Sequence, residues 1–542
     1  MRVLRTLNVA DSDLTFHRLL QRQVERNADK TYLVHEGGRW SYRALYDETA
    51  WLAQRLLDLG IRPGEHVAIL ADNSAPLLFL HFACGVVGAV TCPVNTAVKA
   101  DLLVYYLTLS NASTVVCSAA LRPRLEEVLG KLPQLRRVLM LDTEPGQPEP
   151  DAAAGVRWDR IGARGGAHAA MPDLGVSPAA LRGLSFTSGT TGPSKAIAAS
   201  NAALWKFCMG RVQYLGLYED DVAYTCLPLF HGNALATACF AAFIADASVV
   251  LSRRFSASRF WQEVRDHGVT QFNLLSSMSN ILWGQAPSEL DRAHRARICT
   301  MAPMPSFGAA FAERFRIEVV SSYALSDFGQ VSFLQPGFPA SKLRSTGRPR
   351  PGIQVQIQDD DGHPLAVRQP GEICLRADDS DLGPRSYYND PGNNARANQN
   401  GWFHTGDRGY LDEDGYLFFV DRKKDAIRRR GENISSWEVE QVIAEHPAVA
   451  EVAVFPVHSG MSEDEVMAAI VCRQGMQVAP AEIVAFCDAR MSYFMVPRFI
   501  EFTDAFPRTP TEKVQKQALI AAANGRLDEI WDRERAGIVL TR

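Results

Sequence analysis

Between Leu184 and Lys195 the chain reads LSFTSGTTGPSK, and the chemistry of that string lies in its mixture. Thr187, Ser188, Thr190 and Thr191 bring hydroxyls, Gly189 and Gly192 let the main chain turn tightly with its N–H groups outward, and Lys195 adds a mobile positive charge. Donors packed this closely behind an apolar, strand-like lead-in make a cradle for phosphate. It is not a Walker A loop, because GxxxxGK followed by Ser or Thr cannot be laid over GTTGPSK. A flexible surface loop has the same composition, so the string alone leaves both readings open. A second glycine-rich stretch, GARGG at 162–166, has no apolar strand feeding it and reads as linker.

The elements that must position such a loop are set by the rest of the chain. At 542 residues, 46% of them hydrophobic, it is long enough for a large domain with lobes and a smaller one. An amphipathic helix (TFHRLLQRQVERNA), a hairpin (TYLVHEGGRWSY) and a second helix ending at Gly60 come first. Then HVAILADN, VTCPVN, STVVCS and RRVLML alternate with helical runs, which predicts parallel sheets covered by helices. Residues 144–178, rich in Pro, Gly and Ala, read as a surface connection. The alternation resumes over 218–320, turns to short strands over 341–421, and returns on a smaller scale from about 425 as a compact α+β module. The predicted class is α/β: a large N-terminal domain of helix-covered sheets with a β-rich subdomain, then a small C-terminal α+β domain.

A formal charge of -4, from 57 basic and 61 acidic residues, offers no basic field for nucleic acid. Ten cysteines lie scattered in hydrophobic runs without a CxxC pair, as reduced and mostly buried thiols do. With no signal-peptide pattern and no uninterrupted apolar span, the expectation is a soluble cytoplasmic protein with no membrane partner. The oligomeric state has no signal in the sequence.

TSGTTGPSK resembles the phosphate-binding signature of the adenylate-forming superfamily, and further segments of that family's pattern appear in its order. The resemblance implies that Thr187, Ser188, Gly189, Thr190, Thr191 and Gly192 hold phosphate, with Lys195 catalytic. LPLFHGNA is similar to the segment beside the acyl pocket, so His231 and Asn233 are implied to line it, with Ser276, Ser277, Met278 and Gln330 on its border. TMAPMP resembles the turn beside adenine, which brings in Ala302 and Pro303, with Met301 where the family has glycine. SSYALSDFG resembles the YGxTE segment, which assigns Tyr323 to adenine, Ser326 to the α-phosphate and Asp327 to magnesium, with Ser322 among the cofactor-binding residues. Ala324, Ser326 and Asp327 depart from that pattern; aspartate is one methylene shorter than glutamate and must sit closer or bind through water.

WFHTGD resembles the ribose motif, giving Asp407, with Arg422 reaching the same sugar. Lys424 takes the place of the family's hinge, dividing a large adenylation domain (1–423) from a small rotating one (424–542). RRRGEN, Arg428 to Asn433, resembles the turn that approaches the nucleotide or pantetheine channel, with Gly431 permitting close approach, and PRTPTEKVQK puts Lys513 in the place of the adenylating lysine. The wording is most similar to the crotonobetaine/carnitine-CoA ligase-type acyl-CoA synthetases. The resemblance implies a ligase that uses ATP and Mg2+ to turn a carboxylic acid into acyl-AMP, then passes it to a thiol, that of coenzyme A. The acid is expected to be small or aromatic, with an amino substituent among the options. Two other readings stand beside it: an adenylating enzyme that couples nitrite to an amine, and a nucleotide-binding paralogue without chemistry.

Overall fold

The computed structural model of the chain describes residues 9–141, 155–161, 169–187, 194–302, 304–305, 307–359, 361–422, 427–429, 432–434, 436–458, 463–507, 514 and 516–540, without the side chains of a few of these, Thr187, Ser276, Ser277 and Arg422 among them. Two sheets dominate the N-terminal part, one of nine strands with a parallel centre and antiparallel edges, and one of seven that is parallel except for the antiparallel strand at one edge. Between them runs the helix Ala75–Val87, and its sequence explains its place. Ser74 caps it by accepting from the Leu77 N–H, Pro76 sits in the first turn, and Gly88 ends it in a left-handed conformation with φ 77°. Apolar all round but for His81, it is buried on every side in the largest core cluster.

The string read as a phosphate cradle lies at the tip of a hairpin on the edge of the seven-stranded sheet. Strand Leu181–Thr187 pairs antiparallel with Lys195–Ser200, and Thr187 stands opposite Lys195, so the loop is pinned at both ends. A five-stranded sheet comes next, built from Ile353–Gln358, Gly371–Ala377, Asn398–Gln399, Trp402–Leu411 and Leu417–Arg422.

The C-terminal domain is a four-stranded sheet, Val449–His458, Asp464–Cys472, Phe499–Phe502 and Trp531–Asp532. Alternate residues serve two cores. Val454, Val466 and Ala468 face the helices Ser436–Ala444 and Pro480–Asp488, whereas Phe455, Met467 and Phe499 face the helix Lys516–Asn524. A short hairpin, Ile427–Arg429 with Glu432–Ile434, is tied to this domain by Arg429, 1% exposed, which pairs with Glu465 at 2.6 Å and donates to the carbonyls of Phe494 and Val496.

The structure corrects the reading of 144–178 as a surface connection: strand Arg157–Ile161 lies within it and extends the seven-stranded sheet beside Arg137–Leu141. Its alternation is only five residues long and half polar, the pattern of an edge. Strands Ile298–Met301 and Gly329–Leu334 were not anticipated; both are buried along their whole length, and a short run buried on both sides carries no periodicity. GARGG lies outside the described residues. All ten cysteines are free thiols and only Cys472 is not buried. Among the described residues no helix is long and apolar enough to cross a membrane.

Candidate active site

Asp327 occupies the turn between strands Glu318–Leu325 and Gly329–Leu334. Residues 385–388 splint that turn to the strand leaving the phosphate-loop string. On one side the Arg385 N–H donates to the Asp327 carbonyl at 2.8 Å and Arg385 Nη1 to the Ser326 carbonyl at 3.0 Å. On the other, the Tyr388 N–H donates to the Ala196 carbonyl at 2.7 Å and the Ala198 N–H to the Ser386 carbonyl at 2.9 Å. Tyr387, between them, donates its hydroxyl to Asp327 Oδ2 at 2.6 Å and carries Lys195 Nζ 4.5 Å from its ring centroid. Burial and the charge of Asp327 push the phenol pKa up, so it stays a donor.

A cation and a carboxylate from segments more than a hundred residues apart thus meet on one aromatic ring. Asp327 is half-buried and its Oδ1 has no partner among the described residues. One hard oxygen of that kind suits Mg2+, which takes one or two carboxylates and fills its remaining positions with substrate phosphates and water. Tyr387 escaped the sequence reading, since nothing in SYYNDP announces a partner sixty residues upstream. Removing its hydroxyl in Tyr387→Phe keeps the ring under Lys195 but deletes a charge-assisted hydrogen bond of about 1.5–3 kcal/mol. The expected result is a roughly tenfold or greater fall in kcat/KM for MgATP, measured by pyrophosphate release.

A second pair forms beside it. Tyr323, 7% exposed, donates its hydroxyl to Asp407 Oδ2 at 2.6 Å. The irregular stretch of strand Trp402–Leu411 that presents Asp407 is held at each residue: Thr405 donates to the Ile373 carbonyl, the Gly406 N–H to Glu372 Oε1 at 3.1 Å, and the Asp407 N–H to Thr405 Oγ1 at 3.0 Å. Gly406 has φ 71°, a conformation that favours glycine. Arg422 stands opposite Asp407 in the antiparallel pairing. Ser322 is half-buried on the Tyr323 strand, Ser326 is exposed, and the Ala302 carbonyl accepts from Arg428 Nη2 at 3.1 Å.

Of the residues assigned to the acyl pocket, His231 and Asn233 are half-buried at the start of a helix that widens into a π-turn over Leu235–Phe240. Asn233 Oδ1 accepts from Asn273 Nδ2 at 2.8 Å and from the Thr237 hydroxyl at 2.9 Å. Met278 is core-packed, and Gln330, 4% exposed, donates its amide to the Tyr323 and Ser332 carbonyls at a strand irregularity. Ser276 and Ser277 open a helix, their side chains undescribed. Ser188 to Gly192, Pro303, Lys424, Gly431 and Lys513 lie outside the described residues.

The C-terminal domain reaches this region through two carboxylates. His231 Nε2 donates to both oxygens of Glu432, at 3.0 and 3.1 Å. Burial lowers the imidazole pKa, but the charge and hydrogen bonds of Glu432 outweigh it and the net shift is upward, which favours imidazolium. Glu438, 3% exposed, accepts from the Ser194 N–H at 3.2 Å and from the Ser194 hydroxyl, beside Lys195. Tyr105 and Tyr106 fix Ser194 from the other side, at 2.7 and 2.8 Å. Burial pushes the Glu438 carboxyl up to about 7 against the two hydrogen bonds from Ser194.

This architecture is that of the adenylate-forming enzymes. The AMP-binding enzyme family model matches residues 20–380 and the model for the C-terminal domain of these enzymes matches 438–513, so the chain belongs to the AMP-binding enzyme family. Similar curated proteins include the crotonobetaine/carnitine–CoA ligases of Salmonella paratyphi A, 31% identical over 508 residues (92% of this chain, 97% of the relative), and of Salmonella typhi, 31% identical over 503 residues (91% and 96%). Among solved structures, o-succinylbenzoate CoA synthetase of Bacillus subtilis, as a double mutant bound with a product analogue, is 25% identical with a TM-score of 0.80 (92% and 97% covered). The amide bond synthetase of Marinactinospora thermotolerans is 25% identical with a TM-score of 0.79 (94% and 99%).

Proposed function

We propose that the protein uses ATP and Mg2+ to convert a small carboxylic acid into its acyl-adenylate, releasing pyrophosphate, and then passes the acyl group to the thiol of coenzyme A. The observation that carries this reading is the convergence of Lys195 and Asp327 on Tyr387. Phosphoryl chemistry needs a cation for phosphate oxygens and a hard oxygen for the divalent ion in one place. A carboxylate cannot expel oxide; once joined to the α-phosphate it leaves with AMP.

In this reading Thr187 to Gly192 and Lys195 cradle the phosphates, Ser326 meets the α-phosphate, and Asp407 with Arg422 holds the ribose. Ser322, Tyr323, Ala302 and Pro303 border adenine. Asp327 would hold Mg2+, which supplies neutralising charge on the phosphates. Lys513 serves the carboxylate and α-phosphate oxygens during adenylation. His231 and Asn233 line the acyl pocket.

The C-terminal contacts support a rotating domain with its boundary at 423/424 and its hinge at Lys424. Glu432 on His231 and Arg428 on the Ala302 carbonyl bring the paired strands Ile427–Arg429 and Glu432–Ile434 against the candidate pocket. In this reading the domain turns between the two half-reactions.

The names of the curated relatives favour coenzyme A as acceptor, while the amide bond synthetase keeps an amine acceptor open on the same fold. The test is a panel of acids assayed for AMP, with coenzyme A, an amine or nitrite supplied separately. Acid-dependent AMP with matching thioester is expected. AMP formed with nitrite and an amine, and no thioester with any acid, would transfer the assignment to N–N bond formation.

A further inference from the structure

The helix Asn201–Leu215 carries Arg211 on its inner side, 7% exposed, and among the described residues no carboxylate lies within ion-pairing distance of it. Its partners are all neutral. Nε donates to the Thr237 carbonyl at 3.2 Å, and Nη2 donates to Thr300 Oγ1 at 3.1 Å and to Asn273 Oδ1. Nη1 donates to no described residue. Burial lowers its pKa to about 10, which leaves the guanidinium charged at neutral pH.

Burying a charge without a counter-charge is costly, and such a group is ordinarily paired. The surrounding polar groups show where a counter-charge would enter. Asn273 Nδ2 donates to Asn233 Oδ1 at 2.8 Å and to Thr237 Oγ1 at 2.9 Å, and the Thr237 hydroxyl in turn meets Asn233. Asn233, Thr237 and Asn273 are half-buried, whereas Arg211 and Thr300 are buried. A polar wall therefore runs from His231 and Asn233 inward to an uncompensated cation. The widened π-turn over Leu235–Phe240 frees the Thr237 carbonyl that orients the guanidinium, and such turns recur at functional sites.

We propose that the acid activated here carries a second anionic group, a carboxylate, which Arg211 receives at the inner end of the acyl pocket while the reacting carboxylate stays at the mouth near His231. The proposal rests on the adenylation reading above. A long alkyl chain would strand Arg211, Asn273 and Thr300 against hydrocarbon, and an acid ending in a quaternary ammonium would meet like charge.

The test compares kcat/KM, from AMP release, for diacids and their methyl counterparts: glutarate against pentanoate, and isophthalate against 3-methylbenzoate. The wild-type chain is expected to favour a diacid by about 100-fold, since a site built for a polar group rejects the analogue that leaves its donors unpaired. Arg211→Met should erase that ratio by lowering the diacid alone, and Arg211→Lys should keep most of it. A wild-type preference for the methyl compounds overturns the proposal. So does an Arg211→Met loss that is equal for both members of a pair, because a guanidinium that only ties the π-turn would act that way. If Arg211→Met does not fold, the wild-type ratio and Arg211→Lys decide. No AMP with any acid sinks the adenylation reading itself, and the proposal with it.

Discussion

Lys513→Ala is expected to lower the adenylation rate by about 10²–10³-fold, the usual cost of removing one charge-stabilising donor from a transition state. The α-phosphate gains negative charge only as the acid oxygen attacks, so the loss should appear in kcat more than in the binding of ATP or acid. The contrast with the second half-reaction is the stronger prediction. The C-terminal domain stands with Glu432 on His231 and Glu438 on Ser194, and Lys516 is held by Ser436 at 3.0 Å and Glu440 at 2.6 Å. Lys513 is proposed to act in adenylation alone. Thioester formation from a preformed acyl-adenylate should therefore proceed within a few-fold of wild type. Pyrophosphate exchange into ATP measures the first step and thioester appearance the second. Equal losses in both would mean that Lys513 supports the domain rather than adenylation.

The family and the layered α/β class were legible because their signals are local. The string LSFTSGTTGPSK is contiguous, and HVAILADN or GEICLRA shows its strand character within one window. Ile298–Met301 was missed for the opposite reason: four residues buried on both sides look alike in strand and helix. The site was legible only as separate strings. That Lys195 and Asp327 share Tyr387, that Glu432 reaches His231 and Glu438 reaches Ser194, are pairings across sixty to about 240 residues, fixed by sheet order and domain docking. Nor does Arg211 announce itself, since an arginine in a helix of mixed composition reads as solvated until the helix is seen to turn it inward.

The second large effect is expected at Asp407. Asp407 is 4% exposed, receives the Tyr323 hydroxyl on Oδ2, and sits on a strand segment in which the Gly406 and Asp407 N–H groups are both satisfied by side chains. Such a group has lost its freedom to reorient before any ligand arrives, so hydrogen bonds to two ribose hydroxyls cost little further entropy. Asp407→Ala removes those acceptors and leaves the buried Tyr323 hydroxyl without its partner, and two charge-assisted hydrogen bonds together make a fall of about 10²-fold or more in kcat/KM for ATP reasonable. Stability also drops, which by itself would not identify a ribose site. Discrimination between nucleotides does. Wild-type enzyme should use 2'-deoxy-ATP and 3'-deoxy-ATP at least about tenfold less well than ATP, whereas Asp407→Ala should treat all three alike. Tyr323→Phe is the intermediate case: the carboxylate remains but is no longer steered, so part of the discrimination should persist. A double-mutant cycle on the pair measures that steering directly, and a coupling near zero would show that Asp407 is held by its strand alone.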